Sequence, residues 1–199
     1  MSEPWRALGL SVFSWVTLAC WAVFLGYWLL RGREAAGAVQ QRGSTLVRLM
    51  KIAVTGLFVF ALYKPTLFRG FLGARLLPDS VVVGVAGALV CAAGVACAIW
   101  ARRTLGRNWS DFVVIKKGHA LVQTGPYRWV RHPIYAGGFA AILGSAVTVG
   151  EVRSALAVVF VFLALLSKAR SEERLLASAF PQDFPAYKQR TKALIPFIV

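Results

Sequence analysis

Stretches without a charged residue divide this chain into segments. They cover residues 7–30, 80–101, 134–150 and 154–167, while a fifth, 46–63, carries only Arg48 and Lys51 near its start. A bilayer core takes about 20 apolar residues per helix. The runs at 7–30 and 80–101 meet that length unaided, and the others meet it with long basic stems at their ends reaching back to the headgroups. The pattern predicts an all-α, polytopic integral membrane protein with five transmembrane helices, at 7–30, 46–63, 80–101, 134–150 and 153–168. The first run is too long for a cleavable signal peptide and has no basic segment before it. Only Glu151, Val152 and Arg153 separate the last two runs, so these are expected to form a tight antiparallel hairpin. The uncharged stretch 154–167 rises only about 21 Å as a helix. Either the hairpin stops short of the far interface, or Arg153 and Lys168 snorkel. Its second helix is expected to continue through 170–179, with Pro181 as the stop.

Small residues at alternating spacings of three and four, Gly84, Gly87, Cys91, Gly94 and Ala98, line one face of the third span. They predict close approach of another helix. No repeat, linker or low-complexity tract is visible, so residues 1–199 read as a single domain. Its two cytosolic segments, 102–133 and 169–199, flank the hairpin.

Composition sharpens this picture. The chain is 58% hydrophobic and 16% charged, against about half and a quarter for soluble domains. Lys and Arg number 23 against 8 Asp and Glu, giving a net charge of +15. With five spans, 18 of the 23 basic residues fall on one side. The positive-inside rule makes that side cytoplasmic, with the N-terminus outside and the C-terminus inside. The basicity is then a juxtamembrane rim suited to anionic membrane lipids, and no nucleic-acid partner is expected. Cys20, Cys91 and Cys97 lie in apolar runs and read as small hydrophobes, so no metal site is expected.

Chemistry concentrates at two places. In the first, Gly125-Pro126 signals a turn, and Pro133 sits where a helix begins. Arg131 and His132 immediately precede that helix start, with Tyr127 and Tyr135 alongside. A guanidinium beside free helix donors suits an anion. An interfacial anchor made of Arg, Tyr, Pro and Gly accounts for the same residues equally well. In the second, Arg170, Glu172 and Glu173 leave the hairpin, followed by Phe180, Phe184, Tyr187 and Arg190. These are either groups facing a cationic ligand or a solvated helix face.

The stretch Gly125-Pro126-Tyr127-x-x-x-Arg131-His132-Pro133-x-Tyr135-x-Gly137 resembles the signature of the isoprenylcysteine carboxyl methyltransferase family. That family belongs to a wider group of integral-membrane methyltransferases that includes the phospholipid methyltransferases. Gly118-His119-x-Leu121-Val122 resembles its cofactor-side loop. Glu172-Glu173-x-x-Leu176, Phe180 and Tyr187 resemble its C-terminal motif, and Pro196 its terminal proline. The resemblance covers residues 105–196 and departs at Pro181 and Phe184, where the family commonly has Gly and Tyr.

The resemblance implies S-adenosylmethionine as cofactor, bound at the cytosolic face, and methylation of the carboxylate of an isoprenylated cysteine. It implies cofactor contacts from His119, Leu121, Val122, Gly125, Tyr127, His132, Tyr135, Glu172 and Tyr187. Arg131 and Arg170 would orient the acceptor carboxylate, with Glu173 bracing an arginine. A carboxylate is already ionised at neutral pH and needs no base. The rival enzyme reading, a phospholipid N-methyltransferase, needs a base to deprotonate an ammonium, with Glu173 or His132 as candidates. From another class, the chain would be a non-catalytic membrane scaffold or sensor on the same fold.

Overall fold

The computed structural model describes residues 11–31, 55, 58, 70–106 and 121–195. Most of the expected second span at 46–63 therefore lies outside the described residues, as do His119 and Pro196. Five α-helices occur among the described residues: α1 (Val12–Arg31), α2 (Val81–Leu105), α3 (Pro133–Val149), α4 (Val152–Ala179) and α5 (Asp183–Arg190). Short 3₁₀ turns at Gly70–Gly73 and Gly125–Arg128 complete the regular structure. Three helices, α1, α2 and α4, are long and apolar enough to cross a membrane, and α3 is a shorter apolar helix. Leu89, Phe160 and Leu163 are exposed on the outer faces of α2 and α4, as suits side chains solvated by lipid rather than water.

The seam on α2 is buried along its length, and α3 is its partner. A Cβ placed on Gly94 would lie 2.5 Å from the Ala141 nitrogen and 2.6 Å from the Gly137 carbonyl oxygen. One on Gly137 would lie 2.6 Å from the Gly94 oxygen, so the two backbones touch where neither has a side chain. Trp21 of α1 closes this core and donates from Nε1 to Ser145 Oγ at 2.9 Å. Phe58, from the expected second span, also packs against the core.

The predicted hairpin is present, and Gly150 makes it possible. At φ +68° Gly150 adopts the left-handed conformation that ends α3, and its N–H donates to the Ala146 carbonyl at 2.8 Å. Arg153 does not reach for solvent at the hairpin tip. It is buried, with its Nε 2.7 Å from the Glu151 carboxylate. The loop before α2 packs on the tip, with Leu76 N–H donating to the Gly150 carbonyl at 2.7 Å and Val152 N–H to Ala74 at 3.0 Å. As expected, α4 runs well beyond residue 168 to Ala179, carrying its last turns past the apolar stretch toward α5.

Candidate active site

The opposite end of the bundle gathers the residues with chemistry. Gly125 opens the turn before α3 at φ +57°, and a Cβ there would meet Thr104 Oγ1 of α2 at 3.0 Å, so the turn sits directly on α2. Pro133 occupies the first position of α3, where its missing N–H costs nothing. Between turn and helix, the chain pairs with the segment after α5. Arg131 N–H donates to the Lys192 carbonyl at 2.8 Å, and His132 N–H to Ala193 at 3.0 Å. Residues 130–132 and 192–193 thus run side by side, and the C-terminal segment is strapped to the start of α3.

Side chains draw the same segments together. Arg131 Nε donates to Glu173 Oε1 at 2.7 Å, and its Nη1 donates to the backbone carbonyls of Lys188 and Thr191. The other Glu173 oxygen lies 3.0 Å from Lys188 Nζ. His132 sits between two acids, its Nδ1 3.4 Å from Glu172 and its Nε2 3.6 Å from Glu173. At 3.6 Å the latter is an ion-pair approach rather than a hydrogen bond, so the buried Nε2 has no hydrogen-bond partner among the described residues. Tyr135 donates its hydroxyl to Glu172 and stacks on His132, with ring centroids 5.5 Å apart and planes 9° apart. Lys168 holds its ammonium 4.9 Å from the Tyr135 ring centroid.

These neighbours fix the charge states. Burial alone would disfavour the His132 cation, yet the Glu172 and Glu173 carboxylates together hold its pKa above the ordinary value. Burial would likewise raise both acids, but His132 and Tyr135 keep Glu172 below the usual carboxylate range. His132, Arg131 and Lys188 bring Glu173 down to about 2. Burial raises the Tyr127 phenol and pushes Tyr187 up to about 12, so both stay neutral.

The expected site residues separate into groups. Arg131, His132, Tyr135, Glu172 and Glu173 form one contiguous network. Tyr127 and Tyr187 are buried struts beside it, joined by the Tyr187 hydroxyl donating to the Tyr127 carbonyl at 2.7 Å. Phe184, at the departure from the family pattern, is buried edge-on against Tyr187 and fills space. Leu121 and Val122 are half-buried just before the turn, and Arg170 is exposed on α4 one turn before Glu173. Two participants carried no marked role in the sequence. Lys188 follows the motif tyrosine and closes the Glu173 cluster. Lys168 read as a snorkelling end, although its place four residues before Glu172 puts both on neighbouring turns of one helix face.

The sequence model of the family described as phospholipid methyltransferase matches residues 82–183. A cobalt-zinc-cadmium resistance protein of Cupriavidus metallidurans is 40% identical over 99 residues, covering 47% of this chain and 44% of the relative. The protein-S-isoprenylcysteine O-methyltransferase of Saccharomyces cerevisiae is 36% identical over 101 residues, covering 49% of this chain and 42% of the relative. Among solved structures, a eukaryotic intramembrane Ras methyltransferase, isoprenylcysteine carboxyl methyltransferase, superposes with a TM-score of 0.57 at 28% identity. That match covers 75% of this chain and 53% of the other. The chain therefore spans about half the length of the proteins it matches.

Proposed function

Because this chain belongs to the phospholipid methyltransferase family, we propose that it moves a methyl group from S-adenosylmethionine to the carboxylate of an isoprenylated cysteine or a similar lipid-linked acid. The network joining the start of α3 to Glu172 and Glu173 carries this reading, because it lies where apolar helices meet a basic rim. A water-soluble cofactor and a lipid-embedded acceptor meet at such a boundary. Sequence and structural likeness to isoprenylcysteine methyltransferases supports the acceptor class.

The residues present fit S-adenosylmethionine. The site offers a buried His132 Nε2 without a hydrogen-bond partner among the described residues, a partly open Glu172 carboxylate and an aromatic ring. S-adenosylmethionine, when bound, supplies an electrophilic methyl on its sulfonium. In this reading Glu172 meets an ammonium, and His132 and His119 meet a carboxylate. Leu121, Val122 and Gly125 offer backbone groups, while Tyr127, Tyr135 and Tyr187 enclose the remainder. Arg131, fixed by Glu173, and Arg170 supply the positive field that orients the acceptor.

A carboxylate acceptor is favoured over an amine because the two candidate bases are already engaged. Both oxygens of Glu173 face cations, and His132 lies between two acids that favour its protonated form. The family's description favours a phospholipid amine instead, and that is the second reading. Five spans and a cytoplasmic site complete the proposal. The described chain leaves the site end at Arg31 and resumes beside the hairpin tip at Gly70, as a crossing at 46–63 requires.

The test is methyl transfer from labelled S-adenosylmethionine, by the full chain in lipid nanodiscs, to N-acetyl-S-farnesylcysteine, to phosphatidylethanolamine, or to neither. Label released by alkali from the farnesylcysteine product establishes a methyl ester. Alkali-stable label on the amine, with activity rising with pH, establishes the second reading. Absence of both transfer and cofactor binding by calorimetry leaves a scaffold or sensor.

A further inference from the structure

We propose that Lys168 is the group that receives the anionic head of the lipid-linked acceptor, and so selects acids over amines. This rests on the methyltransferase reading and assigns a substrate-contacting residue within it. Arg131, the cation nearest the motif, has its Nε and Nη1 committed to Glu173, Lys188 and Thr191, and its side chain is only 8% exposed. Arg170 is exposed and has no contact with the network among the described residues. Lys168 differs from both.

It is the first charged residue after the uncharged run 154–167, so a ligand rising along α4 out of lipid meets this ammonium before any other on that helix. Its side chain is exposed, yet it points at the site, over the ring of Tyr135. Tyr135 in turn donates to Glu172 and stacks on His132. Among the described residues, no carboxylate comes within ion-pair distance of the Lys168 nitrogen; Glu172 feels its charge, which helps keep that acid ionised, but does not pair with it. A cation held on an aromatic face at the edge of a low-dielectric layer has an open position for an anion, and a charge-assisted contact there is stronger than the same contact in water. A protonated amine in that position meets like charge. The acceptor's tail then lies against the outer faces of α3 and α4, where Phe139 and Phe162 meet with centroids 5.3 Å apart.

The test compares equilibrium binding of labelled N-acetyl-S-farnesylcysteine and of its uncharged primary amide to the full chain in nanodiscs, for wild type, Lys168→Gln and Lys168→Arg. Wild type should prefer the acid. Lys168→Gln should weaken acid binding about tenfold and leave amide binding unchanged, and Lys168→Arg should restore most of the loss. S-adenosylmethionine binding, measured separately by calorimetry, should persist in all three and reports an intact site. An acid-to-amide ratio that survives Lys168→Gln overturns the assignment while leaving the methyltransferase reading in place. Wild type that binds neither compound overturns both.

Discussion

Removing the Arg131 side chain would leave the Glu173 carboxylate buried beside two backbone carbonyls that had accepted hydrogen bonds from the guanidinium. Stripping one partner from a buried pair costs about 3–5 kcal/mol, and the low end applies here because Lys188 stays with Glu173. Arg131→Ala should therefore lose about 3 kcal/mol of stability and abolish turnover, with the apolar helices still inserted. Thermal unfolding in detergent, run beside the transfer assay, checks both. An unchanged melting temperature would show that the strap does not depend on this residue. The charge states give a pH profile. Glu173 has a folded pKa of about 2 against an ordinary 4.5, so its stabilisation is complete above 4.5 and lost as pH falls toward 2. His132 has the opposite sign. Its folded pKa exceeds 6.5, so its stabilisation is complete below 6.5 and lost as pH rises through the higher folded value. Melting temperatures across this range should show a plateau on the acid side of neutrality. Glu173→Gln should flatten the acid limb, and His132→Gln the alkaline one.

Among the elements, α2 and α3 depend on bare backbone contact. A Cβ on Gly94 strikes main-chain atoms of α3, which cannot turn aside as a side chain would, so Gly94→Ala must push the helices apart. It should cost about 1–3 kcal/mol, as overpacking generally does. Gly138 also lies on α3, but a Cβ added there would meet nothing within 4 Å, so Gly138→Ala should be neutral and serves as the control. The seam on α2 was legible because small residues at spacings of three and four have few other uses in an apolar helix. The continuation of α4 was legible from its helix-favouring charged residues and Pro181. The pairing of residues 131–132 with 192–193 was not, because it consists of backbone hydrogen bonds that any side chains would permit. The family resemblance implies that Glu173 braces an arginine, but which arginine turns inward to it is legible only in the structure. A guanidinium four residues from a tyrosine looks the same whether its partner is a ligand or an acid 42 positions away.

For the whole molecule, charge and architecture agree. The site end carries Arg102, Arg103, Arg128, Arg131, Lys188 and Lys192, while the hairpin tip has Arg75 and Arg153 close to Asp79 and Glu151 respectively. The proposed orientation, with the site facing the cytoplasm, is the one the positive-inside rule favours for this charge distribution. In intact cells, Asp79→Cys should react with a membrane-impermeant maleimide, while Arg174→Cys should react only after lysis. The reverse pattern would turn the molecule over. The strap between residues 130–132 and 192–193 also sets an order of events during synthesis. The α3–α4 hairpin is made before residues 187–194, and its contact with α2 does not involve them. At that moment Arg131 and Glu173 have not yet received Lys188 and Thr191, and the neighbourhood of His132 is open. In the proposed reading, the site is complete only once α5 and residues 191–194 have docked, and a chain cut before residue 187 would keep its apolar helices without the assembled network.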